Sequence, residues 1–219
     1  MRIGLFNEKG ECIHSNEQEL VFFPSERSIQ EKVYIAGLAP GDNANELITF
    51  GITPVTGLKD AKVAVIQNID EYKKNRKEFD DFVFNGGRLL FNEVGEGKHD
   101  IGNTEVHIQH TIMGEYYFAD VVDDVLEKTD LANKDIFMWY DKEKGYVQPL
   151  LGSVFRANGW KPLVETGLCN FAGEDPSGYL AAAQLPFGKG KFIINQLRLM
   201  KNASVNPPAH HLFKYMLKN

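Results

Sequence analysis

The sequence predicts an α/β fold, built on a mostly parallel β-sheet that is flanked by helices and carries an antiparallel extension in the C-terminal half. Three observations support this prediction. Short apolar runs alternate with a helical segment in the first half, a Gly-Gly pair separates that helix from the next apolar run, and apolar strands follow one another closely near the C-terminus. Alternating strands and helices are typical of parallel sheets, and strands joined by tight turns are typical of antiparallel ones.

Size, composition and charge narrow the class of protein. The chain has 219 residues, of which 43% are hydrophobic and 25% charged, as in ordinary globular proteins, and we expect one domain over residues 1–219. The net charge of -6 and the absence of long Lys or Arg runs argue against nucleic acid as a partner. Because no stretch resembles a signal peptide or a membrane span, we expect a cytoplasmic protein without a membrane partner.

The first half is predicted to contain three strands. Residues 2–6, 33–37 and 62–67 are short apolar runs bounded by Gly or polar residues, which is the pattern of buried strands. Asp42 is placed to cap a short helix that Gly51 would end. The sequence therefore predicts that all three runs lie in the main sheet.

A strand-helix-strand unit follows. Asp70 is the predicted cap of a helix that ends at Gly86 and Gly87, and residues 89–91 form the next strand. The apolar residues of this helix recur at helical spacing: Tyr72, Phe79, Phe82 and Val83. Two strands joined by a helix in this way pair in parallel.

The second half is predicted to be richer in strands. Residues 105–113 favour a strand and residues 119–127 a helix, and three further strands are predicted at residues 160–166, 178–184 and 191–197. Residues 187–190 have the composition of a tight connection between the last two strands. A final helix is predicted with Asn206 as its cap and Pro207 in its first turn.

Several stretches, in this order, resemble a known family. They are residues 58–66, 82–90, 135–139, 159–164, 187–199 and 206–209. Together they are similar to the class I glutamine amidotransferase-like domains of family 2 glycoside hydrolases and to β-galactosidase trimerisation-like modules, over residues 58–219. The resemblance implies a three-layer flavodoxin-like arrangement and a carbohydrate context. The partners it implies are glycoside hydrolase domains, a second copy of the chain, or carbohydrate.

The catalytic machinery of the amidotransferase family is missing at the matching positions. In its catalytic members, a cysteine lies on a sharp turn between a strand and a helix. That turn matches residues 91–95, which contain Glu93 but no Cys, Ser or Thr. The histidine base of the family matches Arg198, whose guanidinium stays protonated and accepts no proton. We therefore expect no catalytic residues, no cofactor and a non-catalytic accessory or assembly module.

Two surfaces are candidates for binding. Asn92, Glu93, Gln196 and Arg198 are predicted to line a pocket at the carboxyl edge of the sheet, where such folds usually hold ligands. Trp139 and Tyr140 are predicted to form an exposed aromatic surface for carbohydrate or a partner domain. Phe137 and Trp160 are expected in the core. No metal site is predicted, because the adjacent His210 and His211 would point about 100° apart on a helix.

Two alternatives remain open. The first is a hydrolase or amidotransferase-type enzyme with a non-standard nucleophile, for which Cys169 with His107, His110 or His210 as its base is the candidate. The surroundings of Cys169 in the sequence lack a strand-turn-helix context, which favours a structural or surface cysteine. The second is a small-ligand binder that uses the carboxyl edge of the sheet.

Overall fold

A computed structural model of the chain describes residues 2–17, 19, 21–23, 29–36, 51–110, 119–167 and 178–219. Its strands are β1 Arg2–Phe6, β2 Cys12–Glu17, β3 Lys32–Ala36, β4 Thr53–Val55, β5 Val63–Ile66, β6 Arg88–Asn92, β7 Gly97–Ile101, β8 Thr104–His110, β9 Asp120–Val121, β10 Trp139–Asp141, β11 Tyr146–Gln148, β12 Ser153–Ala157, β13 Lys161–Thr166, β14 Tyr179–Phe187 and β15 Gly190–Asn195. Its α-helices are α1 Ile69–Lys74, α2 Arg76–Phe84, α3 Asp123–Thr129, α4 Leu199–Asn202 and α5 Pro207–Lys218. Short 3-10 helices lie at Leu58–Asp60 and Asn133–Asp135.

An 11-stranded mixed sheet dominates the described residues. Its order is β4-β3-β5-β6-β15-β14-β12-β8-β7, and β13 and β9 branch from β14. The pairings from β4 to β15 are parallel, and every pairing beyond β15 is antiparallel. The α/β class, the parallel pairing of the strand-helix-strand unit and the antiparallel extension are therefore confirmed, whereas the main sheet as a whole is mixed, with four parallel and six antiparallel pairings.

Buried apolar clusters lie on both faces of this sheet. Strand side chains alternate between faces, so Val63 and Val65 of β5 belong to one buried cluster and Ala64 and Ile66 to the other. The first cluster packs against α3, α4 and α5, and the second packs against α1 and α2.

Three predicted elements differ from the structure. The predicted helix from Asp70 is two helices, and its cap is Asn68, whose side chain accepts a hydrogen bond from the Asp70 N–H at 2.9 Å. The break lies at Asn75, whose φ of -116° leaves the helical region and whose side-chain amide donates to the Glu71 carbonyl at 3.3 Å. Asparagine side chains compete for backbone groups in this way, which favours ends over helix interiors.

The first predicted strand is also wrongly placed. Residues 2–6 do form β1, but this strand pairs only with β2 in a separate hairpin and every residue of both strands is exposed. A short apolar run is compatible with a strand of an exposed hairpin and with a buried strand of a larger sheet. The sequence pattern therefore does not distinguish between them.

The helix predicted at residues 119–127 begins only at Asp123 and ends at Thr129, because Asp120 and Val121 form strand β9, which pairs with β13. β3, β5, β6, β13, β14, β15 and α5 lie at the predicted positions. β8 ends at His110, and residues 111–113 of its predicted range lie outside the described residues, as do residues 42–50 of the predicted Asp42 helix. None of the helices described is long and apolar enough to cross a membrane.

Candidate functional site

Two neighbouring parallel strands, β6 and β15, end in asparagines that bind each other. The Asn195 amide nitrogen donates to the Asn92 side-chain oxygen at 2.9 Å and to the Leu197 carbonyl at 2.8 Å. In return, the Asn195 side-chain oxygen accepts from the Leu197 N–H at 3.2 Å. Buried backbone groups past a strand end need partners, and these side chains provide them. We call Asn92, Glu93, Asn195, Gln196 and Arg198 the edge cluster.

The turn after β6 has an unusual backbone. Glu93 has a φ of +53°, in the left-handed region that a side chain with a Cβ rarely adopts. Its N–H donates to the Asn195 carbonyl at 2.8 Å, so this amide is already used. The turn leads into strand β7 instead of a helix. The strand-turn-helix order of the catalytic members of the family is therefore missing at residues 88–101.

Buried side chains hold the carbonyls of the same turn. The Gln196 amide nitrogen donates to the Val94 carbonyl at 2.9 Å, and His99 Nε2 lies 2.8 Å from the Gly95 carbonyl. The Glu96 carboxylate accepts from the His110 N–H at 3.1 Å, which ties the end of the turn to β8. The position of Glu93 is thus fixed from three strands.

The protonation equilibrium of the Glu93 carboxyl group is shifted. It remains an exposed residue, yet protein atoms surround its carboxyl group closely enough that burial raises its pKa above the usual value. The charges of Lys201 and Arg198 and a hydrogen bond from Asn92 oppose this rise. Carboxyl groups with raised pKa values in a polar cleft are candidates for ligand contact.

Arg198 follows β15 and enters the same edge. Its N–H donates to the Leu150 carbonyl at 3.0 Å. Its guanidinium passes so close to Gly152 that a Cβ there would lie 3.0 Å from Nη2 and 3.7 Å from His110 Cε1. A side chain at position 152 would therefore crowd the Arg198 guanidinium and the His110 ring.

Two buried polar atoms beside this turn have no hydrogen-bond partner among the described residues. They are Gln196 Oε1 and His99 Nδ1, on side chains that are 2% and 8% exposed. Each side chain uses its other polar atom to hold the turn. A buried polar atom without a partner costs about 1–3 kcal/mol, so both positions favour a bound hydrogen-bonding group.

The structure brings the predicted pocket residues together. Asn92 and Gln196 contact the ends of neighbouring strands, and Glu93 and Arg198 interact electrostatically. Sequence reasoning missed Asn195 and His99. The polar pair that ends the apolar run of β15 was a usable signal for Asn195, whereas a single histidine on β7 gave none.

The predicted aromatic surface is partly wrong. Trp139 is 0% exposed and lies in the core, whereas Tyr140 is 46% exposed. Neighbouring residues of a strand face opposite sides, so β10 cannot expose both rings. Phe137 was expected in the core but is 56% exposed, and Trp160 is buried as predicted, with its Nε1 donating to Thr104 Oγ1 at 2.8 Å.

A chain of amides links Tyr140 to the edge cluster. Asn206 accepts from the Tyr140 N–H at 2.8 Å and donates to the Tyr140 carbonyl at 2.9 Å and to the Asn202 carbonyl at 3.0 Å. Asn202 in turn donates to the Arg198 carbonyl at 2.7 Å. Asn206 was predicted to cap α5, and it stands at that position without a side-chain cap bond because its amide is used here.

The other candidate side chains do not form a site in the part of the chain that the structure describes. Cys169 lies outside the described residues, so its pairing with a histidine stays a hypothesis. Within the described ranges, no three His, Cys, Asp or Glu side chains are grouped as metal ligands. His211 Nδ1 lies 3.0 Å from the Thr129 carbonyl, in a contact between α5 and the end of α3.

Comparison with known proteins gives similarity in structure only. No family model and no curated protein matches the chain. Among solved structures, β-galactosidase from Bacillus circulans sp. alkalophilus shares 12% identity with a TM-score of 0.44, over 83% of this chain and 31% of that enzyme. The exo-β-1,4-mannosidase Op5Man5 from Opitutaceae bacterium strain TAV5 shares 12% identity with a TM-score of 0.41, over 86% and 35%.

A third similar structure has nearly the same extent as this chain. The cytoplasmic protein STM3548 from Salmonella typhimurium shares 9% identity with a TM-score of 0.46, over 85% of this chain and 97% of that protein. The chain spans about a third of the length of the two glycosidases. At these identities and TM-scores the comparisons carry no argument about function.

Proposed function

We propose that this chain is a non-catalytic accessory or assembly module of the amidotransferase-like type, associated with carbohydrate processing. The observation that carries the proposal is Glu93, which occupies the left-handed turn after β6 where a nucleophile would stand. Arg198 fills the position of the base, and the turn leads into a strand. The carbohydrate context comes from the sequence resemblance. A single domain, a flavodoxin-like three-layer arrangement and a cytoplasmic location belong to the same proposal.

The surface proposed for assembly is the β1–β2 hairpin. Ile3, Leu5, Phe6 and Ile13 are each at least 60% exposed. At ~200 Å² for a large apolar residue, they expose roughly 500 Å² in all, divided between the two faces of the hairpin because Leu5 and Phe6 point to opposite sides, against the ~800 Å² that each partner buries in a standard interface. An isolated two-stranded hairpin is at best marginally stable in water. Its apolar side chains favour burial against a second copy of the chain or a glycoside hydrolase domain.

Self-association is tested by sedimentation velocity over a range of concentrations. We expect the chain to associate and Phe6→Ser to weaken that association. The matched control is Phe137→Ser, which removes a similarly exposed ring outside the hairpin. A chain that stays monomeric at every concentration contradicts assembly through a second copy.

The absence of catalysis is tested separately. We expect neither glutamine nor activated esters and aryl glycosides to be hydrolysed above the buffer rate. We also expect Cys169 to react with a thiol reagent no faster than an ordinary thiol, since its sequence context offers nothing to lower its pKa. Turnover that disappears in Cys169→Ala but persists in Cys12→Ala would establish the enzyme alternative instead.

A second candidate function is small-ligand binding at the edge cluster. The unpaired Gln196 Oε1 and His99 Nδ1 favour it, because a ligand hydroxyl or amine would satisfy them. Gln196→Met would remove both the unpaired acceptor and the bond to Val94. We expect it to abolish any melting shift produced by small hydroxylated ligands, and an unchanged shift would place that ligand elsewhere.

A further inference from the structure

A cavity of about 620 Å³ lies between the β10–β11 hairpin and the turn that follows α4. Residues 140–144 and Gln148 line one side, and Lys201, Asn202, Ser204 and Val205 line the other. The volume falls within the range of roughly 300–1,000 Å³ that is typical of small-molecule sites. The cavity therefore has room for a ligand of one or two sugar rings.

The strand that contributes Tyr140 to the cavity lining is held in place. Both backbone polar groups of Tyr140 bind the side chain of Asn206, which is itself 8% exposed. Buried Trp139 and the pairing of β10 with β11 fix the strand on either side. A ring on such a fixed backbone loses little conformational freedom when it binds a ligand. Flat rings with a polar tip suit ligands that have one apolar face and many hydroxyls.

Some charged side chains of the cavity have an ion-pair partner within the lining, and others do not. The Asp141 carboxylate already accepts from the Glu143 N–H at 2.9 Å, the Lys144 N–H at 3.0 Å and the Gln148 amide, and it pairs with Lys144 at 3.7 Å. Among the described residues, Lys142 and Lys201 form no ion pair within 4.0 Å. The acid that remains is Glu143. The lining therefore contains three lysines and two acids, a net charge of +1, and Lys201 also interacts electrostatically with Glu93 outside the lining.

We propose that this cavity binds a polyhydroxylated anion, that is, a sugar ring that carries a carboxylate or a phosphate. The ring packs on Tyr140, hydroxyls bind Gln148 and Ser204, and the anionic group lies between Lys201 and Lys142. The sugar part of the inference rests on the proposed carbohydrate association. The anionic part rests on the charges of the lining alone.

The binding test uses isothermal titration calorimetry on the full chain with four probes. Glucuronate and glucose 6-phosphate represent the two anions, and glucose and inorganic phosphate each represent one half of the ligand. We expect at least one anionic sugar to bind about tenfold more tightly than either half, because ring and anion contribute together. Which of the two binds more tightly identifies the anionic group.

Variants assign that binding to the cavity. Tyr140→Leu is expected to weaken binding of the anionic sugar about tenfold. Tyr146→Leu is its matched control, because Tyr146 is an exposed tyrosine of the same hairpin outside the cavity lining. Lys201→Gln is expected to remove the preference over glucose, and Lys128→Gln, on α3, is expected to keep it.

Three results overturn the inference: no binding of either anionic sugar at millimolar concentration, equal binding of glucose, or full binding by Tyr140→Leu. The outcome of the binding test is independent of the assembly test, because Phe6→Ser leaves the cavity intact and Tyr140→Leu leaves the β1–β2 hairpin intact. An associating chain that binds no sugar contradicts this inference alone. A sugar-binding chain that hydrolyses the test substrates contradicts only the non-catalytic role.

Discussion

At the scale of single residues, Glu93 combines a left-handed backbone with a carboxyl group that protein atoms partly desolvate. Its pKa is raised in the folded state relative to the usual value of 4.5. The protonated form is therefore favoured by folding. As the pH rises above 4.5, ionisation of Glu93 lowers the free energy of unfolding.

This linkage predicts the behaviour of Glu93→Gln. The variant keeps the backbone and the shape of the side chain but never ionises. We expect its stability relative to the unmodified protein to be higher at pH 7 than at pH 4, since ionisation of the native carboxyl group increases with pH and is less favourable in the fold than in the unfolded chain. Urea unfolding at both pH values measures the difference. The same difference at both would show that Glu93 ionises in the fold as it does in water.

Among the hydrogen-bonded side-chain amides, Asn206 is the one whose replacement we expect to lower the free energy of unfolding most. Asn206→Ala removes both bonds to the Tyr140 backbone and the bond to Asn202, so we expect a loss of about 2–3 kcal/mol in the free energy of unfolding. Asn85→Ala is the matched control and should cost at most ~0.5 kcal/mol, because its single bond to Asp81 is exposed. Equal losses in urea unfolding would contradict this role.

Much of the edge cluster was predictable from residue identity and order. Asn92, Glu93, Gln196 and Arg198 directly follow apolar runs, and the carboxyl ends of parallel strands share one edge. What the sequence does not contain is which amide binds which carbonyl. Asn195 contacts Asn92 across 103 positions of the chain, and Asn206 contacts Tyr140 across 66. Such partners follow only from the packing of the sheet.

At the scale of elements, the turn between β14 and β15 packs tightly against the end of α2. Gly188 has a φ of +60°, and a Cβ there would lie 2.5 Å from the Phe84 carbonyl oxygen. We expect Gly188→Ala to destabilise the protein by more than ~2 kcal/mol, because conformational strain and a backbone clash add.

The control for this substitution is Gly159→Ala. Gly159 has a φ of +80° in the turn between β12 and β13, and a Cβ there would meet nothing within 4 Å. Only the cost of the left-handed conformation remains, about 1 kcal/mol. Thermal or urea unfolding of both variants separates the two contributions. Equal effects would mean that the loop relaxes away from Phe84.

Secondary structure was predictable wherever local chemistry decided it. Periodicity located α5, and composition located the β14–β15 turn. The split between α1 and α2 was not predictable, because its cause includes a contact made across the break. The Tyr72 hydroxyl donates to Asp80 at 2.8 Å, and Arg76 binds Asp100 on β7 at 2.8 Å. The periodic apolar positions alone are compatible with one continuous helix.

At the scale of the whole molecule, the β1–β2 hairpin contributes no residue to either buried cluster of the main sheet. We therefore expect removal of residues 1–17 to leave the melting temperature unchanged within ~2 °C, since little buried area is lost. Differential scanning calorimetry measures this, and sedimentation of the same variant should show a monomer. A clear fall in melting temperature would mean that the hairpin unfolds together with the main sheet.

Strand order was the least predictable property of the chain. The parallel neighbours β5 and β6 follow from a local unit, but β15 inserts beside β6 from the far end of the sequence. Strand β1 shows that composition alone is insufficient: its residues are mostly apolar, like those of the interior strands, but every one of them is exposed. Local pattern predicts that a strand exists, and long-range packing decides which strand becomes its neighbour.

Among the residues that the structure describes, the branching at β14 gives the main sheet three terminal strands, β4, β7 and β9, whose outer edges pair with no other described strand. β4 is three residues long and contains Pro54, β9 has only two residues, and β7 presents the charged Lys98 and Asp100. A proline, a short strand and charged side chains each discourage the edge-to-edge pairing of one sheet with another. The consequence is a sheet that grows no further at its margins and so resists fibre formation.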